Sequence, residues 1–198
     1  MEKRVYTIDE YLKLEKSSEQ RHEFIDGQII YLSEILARAG GSEWHSLIAT
    51  NIAGELRNRL KGSSCRVYGS DFRIRIPRKS FFAFPDVSII CGKTELDPDS
   101  RAGQTATNPK VIVEVLSPST EGYDRGTKFA RYRELASLEE YVLVSQDTPR
   151  IEVFLRRGEG SWQFTPFAGV DAVAHLQSVK IDLPLAEAYT GVTFSVEE

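Results

Sequence analysis

The sequence predicts a mixed α/β (α+β) fold, in which a mixed β-sheet is flanked by helices and preceded by an N-terminal helix and a β-hairpin. Residues 66–76 and 84–91 both have strand patterns, and the short turn between them favours an antiparallel pair. Further along, strand, helix and strand patterns follow in that order at 111–116, 124–136 and 140–144. Such a unit forms a right-handed crossover with parallel strands, so antiparallel and parallel neighbours are expected in one sheet.

The length is that of a single globular domain. A chain of 198 residues can bury a substantial core. We expect one domain with three parts: an N-terminal helix and hairpin (1–42), a central core (43–145), and C-terminal strands with a short helix (146–198).

Charge, cysteine content and the N-terminus restrict the possible functions. The net charge of -4 gives no general attraction to nucleic acid, so any contact with DNA would need a local basic surface. Cys65 and Cys91 are too few for a disulfide framework and have no metal-ligand spacing, so we expect both to be reduced and buried. The sequence has no signal peptide and no membrane span, which predicts a cytoplasmic protein without a membrane partner.

Local signals define the first two helices and the hairpin. Thr7 and Glu10 form a capping box at the start of a helix that runs to about residue 15. Asp26-Gly27 lies between two apolar runs and predicts a type I′ hairpin turn. A longer helix from 42 or 43 to 61 has apolar residues every four positions. Glu55 and His45 fall inside its apolar arc, which indicates a buried site, a salt bridge or a position at the edge of the helix.

Basic residues cluster on the strand at 66–76 and in the turn that follows. Arg73 and Arg75 alternate with apolar residues and predict a polar strand face, and Arg78 and Lys79 lie in the turn. This surface is either an ordinary solvated face or a groove that holds a phosphate backbone.

Two carboxylates are predicted to meet at one edge of the sheet. Asp86 is near the start of its strand and Glu114 near the end of its own, so antiparallel pairing of these strands places them side by side. Adjacent carboxylates repel each other unless one is protonated or a cation lies between them. Mg²⁺ favours one or two carboxylates together with backbone oxygen and water. We therefore predict Asp86, Glu114 and the Val115 backbone as metal ligands.

Lys128 is the predicted cationic partner of this pair. It falls within the apolar arc of the 124–136 helix, where a buried ammonium needs an anionic neighbour; the alternative is that it extends along the helix to water. Together these residues suit metal-assisted hydrolysis of a phosphodiester, with Lys128 orienting a water or stabilising charge on the phosphate.

The order of these motifs resembles a restriction endonuclease family of unknown target within the PD-(D/E)xK nuclease superfamily. The resemblance covers residues 6–194 approximately. It is carried by the segments 21–27, 85–87, 108–109, 114–120 and 124–128, with His45 and Tyr132.

The resemblance implies a restriction-endonuclease-like core, a Mg²⁺ cofactor that Mn²⁺ can replace, and DNA as substrate. Because a cut in both strands calls for two centres, we expect a homodimer. The lysine of the superfamily pattern is Leu116 here, and Lys128 would supply the ammonium group instead. Glu55 resembles a carboxylate on the first core helix of some members, and Glu23 lies in the hairpin motif of this family. Both are candidate catalytic residues, as is His45.

Two other functions fit the same sequence. One is a non-catalytic domain on this fold that binds nucleic acid or has a structural role. The other is hydrolysis of a small phosphate ester, which predicts no binding to a polynucleotide.

Overall fold

A computed structural model describes residues 4–31, 43–76, 80–100 and 105–194. The helical elements are α1 (Ile8–Ser17), α2 (Glu43–Arg59), α3 (Glu121–Tyr123), a π-helical turn (Asp124–Lys128), α4 (Phe129–Tyr132), a 3-10 turn (Gly158–Gly160) and α5 (Leu185–Ala188). The strands are β1 (His22–Ile25), β2 (Gln28–Tyr31), β3 (Cys65–Gly69), β4 (Arg73–Arg75), β5 (Phe81–Ala83), β6 (Val87–Cys91), β7 (Thr105–Ala106), β8 (Val111–Leu116), β9 (Glu140–Ser145), β10 (Arg150–Arg156), β11 (Trp162–Ala168), β12 (Val173–Leu176) and β13 (Ile181–Pro184).

The described strands form three sheets. The largest has six strands in the order β11-β10-β9-β8-β6-β3, the second has five in the order β2-β1-β5-β4-β7, and β12 pairs with β13. In the six-stranded sheet β8 and β9 are parallel and the other neighbours are antiparallel. The predicted mixed sheet is therefore confirmed, as are the antiparallel pairing of β6 with β8 and the parallel crossover from β8 to β9.

Local sequence explains the N-terminal elements. The Thr7 side chain accepts the Glu10 backbone N–H (3.2 Å), and the Glu10 carboxylate accepts the Thr7 N–H (2.8 Å), which completes the predicted capping box of α1. In the turn between β1 and β2, Asp26 and Gly27 have φ angles of 48° and 84°. Two successive positive φ angles are those of a type I′ turn, as the Asp-Gly pair predicts.

Strand β8 is buried on both faces and separates two apolar cores. Val113 and Val115 face a core shared with α2, whereas Ile112 and Leu116 face a core shared with the five-stranded sheet and the segment around Tyr132. A strand that is buried on both faces has an almost continuous apolar sequence, and residues 111–116 have this pattern. Its one charged residue, Glu114, is consequently 2% exposed.

Three sequence predictions about local structure are wrong. The strand at 66–76 is divided into β3 and β4, and these belong to different sheets. Cys65 and Cys91 are joined by a disulfide rather than reduced, because they are direct cross-strand partners in the β3–β6 register and both are only partly buried. The helix predicted to begin at residue 124 begins earlier, since helical structure starts at Glu121 and continues through the π turn.

No helix in the described ranges is long and apolar enough to cross a membrane. Residues 32–42, the end of the predicted N-terminal part, lie outside the described residues.

Candidate active site

The Lys128 ammonium lies at the centre of a buried cluster of carboxylates. Its Nζ is 3.0 Å from Glu114 Oε1, 3.1 Å from Glu23 Oε1 and 3.4 Å from Asp124 Oδ1. The Lys128 side chain is 7% exposed, so it does not extend along the helix to water. The prediction that the Lys128 ammonium is buried beside anionic groups is therefore confirmed.

The π turn holds both Lys128 and Asp124 inside the molecule. Each is buried, and the Asp124 backbone carbonyl accepts a hydrogen bond from the Tyr141 hydroxyl (3.0 Å) on β9. Short π-helical turns are rare and occur frequently at functional sites, because they alter the direction in which the neighbouring side chains point.

Asp86 and Glu114 meet as the strand register requires. Val87 lies opposite Val113 in the antiparallel β6–β8 pair. Asp86, which precedes Val87, is therefore next to Glu114, which follows Val113. The Asp86 backbone N–H donates to Glu114 Oε2 (3.4 Å), and the Val115 N–H donates to Asp86 Oδ2 (2.7 Å). The two acids are 28 residues apart in the chain, and they are held together because Glu114 accepts the Asp86 N–H while Asp86 accepts the N–H of the residue after Glu114.

His45, in the first turn of α2, contacts the same group. Its Nε2 is 3.3 Å from Asp86 Oδ2. Burial lowers the pKa of His45, but the hydrogen bond and negative charge of Asp86, together with a hydrogen bond that the imidazole donates to the Val115 backbone, outweigh it and raise the pKa above its usual value. The imidazole therefore lies against the two groups predicted to bind the metal.

The cluster has more negative than positive charge. Burial raises the pKa of Glu114 well above its usual value, and Asp124, Asp86 and Glu23 raise it further against the opposing charge of Lys128. Burial lowers the pKa of Lys128, but the negative charges of Glu114, Glu23 and Asp124 outweigh it and raise this pKa well above normal. Four carboxylates around one ammonium and one imidazole attract a further cation or a proton.

Comparison with known proteins identifies the family. The sequence profile of the Uma2 family, described as "Putative restriction endonuclease", matches residues 8–186. The chain belongs to the Uma2 family. The resemblance seen in the sequence is thereby confirmed.

Two relatives and a solved structure are similar to this chain over most of its length. The "Uncharacterized protein slr1290" of Synechocystis is 35% identical over 94% of this chain and 92% of its own length. The "Uncharacterized protein sll1609" of the same organism is 31% identical over 90% of this chain and 96% of its own. A crystal structure titled as that of "a putative nuclease belonging to DUF820" from Anabaena variabilis has a TM-score of 0.72 at 17% identity, covering 94% of this chain and 99% of that one. The predicted restriction-endonuclease-like fold is confirmed, and family and fold together support a nuclease-type function.

The donor set in this Uma2 chain suits a hard cation such as Mg²⁺. Asp86 and Glu114 offer carboxylate oxygens, and Val115 offers a backbone oxygen beside them. In the described part of the chain no three His, Cys, Asp or Glu side chains form a metal-binding group. An ion held here would take its other ligands from backbone and water, which is the usual arrangement for Mg²⁺.

Glu55 is not brought to the cluster. It lies ten residues after His45 on α2, about 15 Å further along the helix axis at 1.5 Å per residue. Its carboxylate is 3.4 Å from Arg59, and a hydrogen bond with Glu187 raises its pKa. The prediction that Glu55 belongs to the site is therefore wrong: the salt bridge, which was the alternative, is what the structure shows.

The predicted basic surface is not exposed at Arg73 and Arg75, which are 7% and 8% exposed. Arg73 donates to Thr105 Oγ1 (2.8 Å) and lies 3.5 Å from Glu15, and Arg75 lies 2.5 Å from Asp97. Because both guanidinium groups are enclosed and paired with carboxylates, this part of the DNA-binding prediction is wrong. Arg78 and Lys79 lie outside the described residues.

Sequence reasoning missed Asp124 and two tyrosines as members of the cluster. The Tyr123 hydroxyl donates to Glu23 Oε2 (2.9 Å), and the Tyr132 hydroxyl donates to Glu114 Oε1 (3.3 Å). The spacing of Asp124 and Lys128, four residues apart, is that of an ion pair on one helix face and could have identified Asp124.

Proposed function

We propose that the chain is a metal-dependent endonuclease that hydrolyses phosphodiester bonds in DNA. The observation that carries this proposal is the meeting of Asp86, Glu114 and Lys128 in one cluster, with Nζ of the lysine 3.0 Å from the glutamate. Membership of a restriction endonuclease family on a nuclease fold supports the same conclusion.

Each residue of the cluster has a defined task in this proposal. Asp86, Glu114 and the Val115 backbone hold one Mg²⁺ ion, which Mn²⁺ can replace. When bound, the ion polarises the phosphoryl oxygen and lowers the pKa of a water molecule toward neutrality. His45 fixes the orientation of the Asp86 carboxylate through its contact at 3.3 Å.

Lys128 orients the attacking water or stabilises the charge that develops on the phosphate. Asp124 is the most distant of its three carboxylate partners, at 3.4 Å, and is the partner that substrate would displace. Lys128 thereby replaces the lysine of the superfamily pattern, whose position is held by Leu116 in the buried apolar core.

The remaining features of the proposal concern the assembly. Cleavage of both strands requires two centres, which a homodimer with two-fold symmetry provides. A cytoplasmic location, where DNA is accessible, is part of the same proposal.

Incubation of the purified protein with supercoiled plasmid DNA tests the function. We expect Mg²⁺ or Mn²⁺ to permit conversion to nicked and linear forms, and an excess of EDTA to abolish it. Protein that binds DNA but leaves the plasmid intact with either ion, across a range of sequences, would contradict the proposal.

One observation favours a second function, a non-catalytic nucleic-acid-binding domain. Lys128 has three N–H donors and three carboxylates within 3.4 Å, so all of them can be occupied within the protein. A lysine retained for structure alone predicts DNA binding that is independent of Mg²⁺ and no cleavage.

A further inference from the structure

We propose that Glu23 is a positioning residue, through which the N-terminal hairpin holds Lys128 and the Asp86 segment in their working arrangement. This inference rests on the proposed function and deepens it. It makes the hairpin a part of the active site rather than an addition to the core.

The contacts of Glu23 connect both halves of the cluster. Its Oε1 lies 3.1 Å from Lys128 Nζ in an ion pair, and it accepts a hydrogen bond from the Phe84 backbone N–H, also at 3.1 Å. Its Oε2 accepts the Tyr123 hydroxyl at 2.9 Å. The side chain is completely buried, and both oxygens are already occupied. Glu23 is therefore placed to act through its neighbours and not as a ligand or base itself.

The hairpin that carries Glu23 is fixed on two sides. Strand β1 pairs with β5, which leads into the Phe84 segment, and the Asp26 N–H donates to the Ser80 carbonyl (2.8 Å). On the other side Asp26 forms an ion pair with Arg131 in α4, directly after the π turn. A carboxylate on such a rigid element holds a fixed distance between the groups that it binds.

The hydrogen bond to Phe84 is transmitted to Asp86 over a short and stiff segment. Pro85 lies between the two residues, and its ring restricts φ to about −65°. The Asp86 N–H in turn contacts Glu114. Loss of Glu23 would leave Lys128 with Glu114 and Asp124, so we expect the ammonium to stay inside the cluster but to lose its orientation.

The test compares Glu23→Gln with a matched control, Glu140→Gln. Glu140 is also completely buried, and its carboxylate accepts hydrogen bonds from the Gln177 N–H (2.7 Å) and the Ser178 hydroxyl (2.6 Å). It is the first residue of β9, three residues before Leu143, which pairs with Glu114. For Glu23→Gln we expect kcat to fall by at least about tenfold with KM nearly unchanged, because a misplacement of 1 Å costs up to ~100-fold in rate. Glu140→Gln should leave kcat unchanged. If Glu23→Gln does not fold, Tyr123→Phe should show the same pattern with a smaller loss.

Two measurements without substrate separate this inference from the proposed function. In Glu23→Gln, amide hydrogen exchange at Phe84 and Asp86 should accelerate, and the NMR signal of the Lys128 ammonium should shift, whereas Glu140→Gln should alter neither. These changes in a protein that cuts no DNA would support the positioning role and contradict the nuclease. Unchanged exchange and an unchanged lysine signal, or a kcat within twofold of wild type in folded Glu23→Gln, would overturn the inference.

Discussion

Replacing Asp86 by asparagine is expected to reduce Mg²⁺-dependent cleavage of DNA by about a thousandfold. The change removes one of two carboxylates that hold the ion, and a bound ion contributes several kcal/mol to catalysis, with each 1.36 kcal/mol equal to tenfold in rate. The fold should be retained, because the asparagine oxygen can still accept the Val115 N–H that now lies 2.7 Å from the aspartate. Initial rates on plasmid DNA at saturating Mg²⁺ measure the effect.

Glu55→Gln is the matched control for Asp86→Asn. Glu55 is also an acidic residue of the predicted site, but the structure pairs it with Arg59 on the surface of α2. Its substitution should leave cleavage unchanged. If Asp86→Asn cuts as fast as wild type, or if both variants lose activity equally, the assignment of the metal ligands is wrong.

Replacing Lys128 by methionine is expected to abolish cleavage and to destabilise the protein by about 3–5 kcal/mol, the usual cost of removing one partner from a buried ion pair. Three carboxylates would lose their shared cation while remaining buried. Urea unfolding at neutral pH measures the loss. Lys110→Met is the control: Lys110 pairs with the half-exposed Glu139, and such pairs contribute about 1 kcal/mol or less.

The stability of Lys128→Met should also depend on pH in a defined direction. The pKa of Glu114 is already above its unfolded value through burial, and loss of Lys128 raises it further. A carboxyl group with a raised pKa in the folded state binds a proton more readily there, so folding is favoured as the pH falls. The deficit should thus be complete above the raised pKa and decrease toward pH 4.5. A deficit that does not vary with pH, or one no larger than that of Lys110→Met, would contradict the buried charge cluster.

Patterns between neighbouring residues predicted several local features correctly. The capping box at Thr7, the Asp26-Gly27 turn and the apolar run of β8 depend on residues within a few positions of one another. The meeting of Asp86 with Glu114 was also predictable, because antiparallel pairing relates the start of one strand to the end of the next.

Several of the errors concern features that a local sequence pattern does not contain. Arg73 alternates with apolar residues like a solvent-facing arginine, but Glu15, its partner, is 58 residues away and could not be located from the pattern. Glu55 has the correct angular position on α2, yet a helical wheel contains no information about distance along the axis. The division of 66–76 between two sheets leaves the two-residue period unchanged, so periodicity does not reveal it.

The convergence of Asp86 and Glu114 on one ion is the central claim, and a crystal soaked with Mn²⁺ tests it most directly. The account predicts an anomalous scattering peak at about 2.1 Å from a carboxylate oxygen of each residue, the distance at which hard divalent ions bind oxygen. Lys128 Nζ should lie beside Glu114 on the same side of the sheet. A peak that touches neither carboxylate, or no peak at an ion concentration that supports cleavage, would contradict the account.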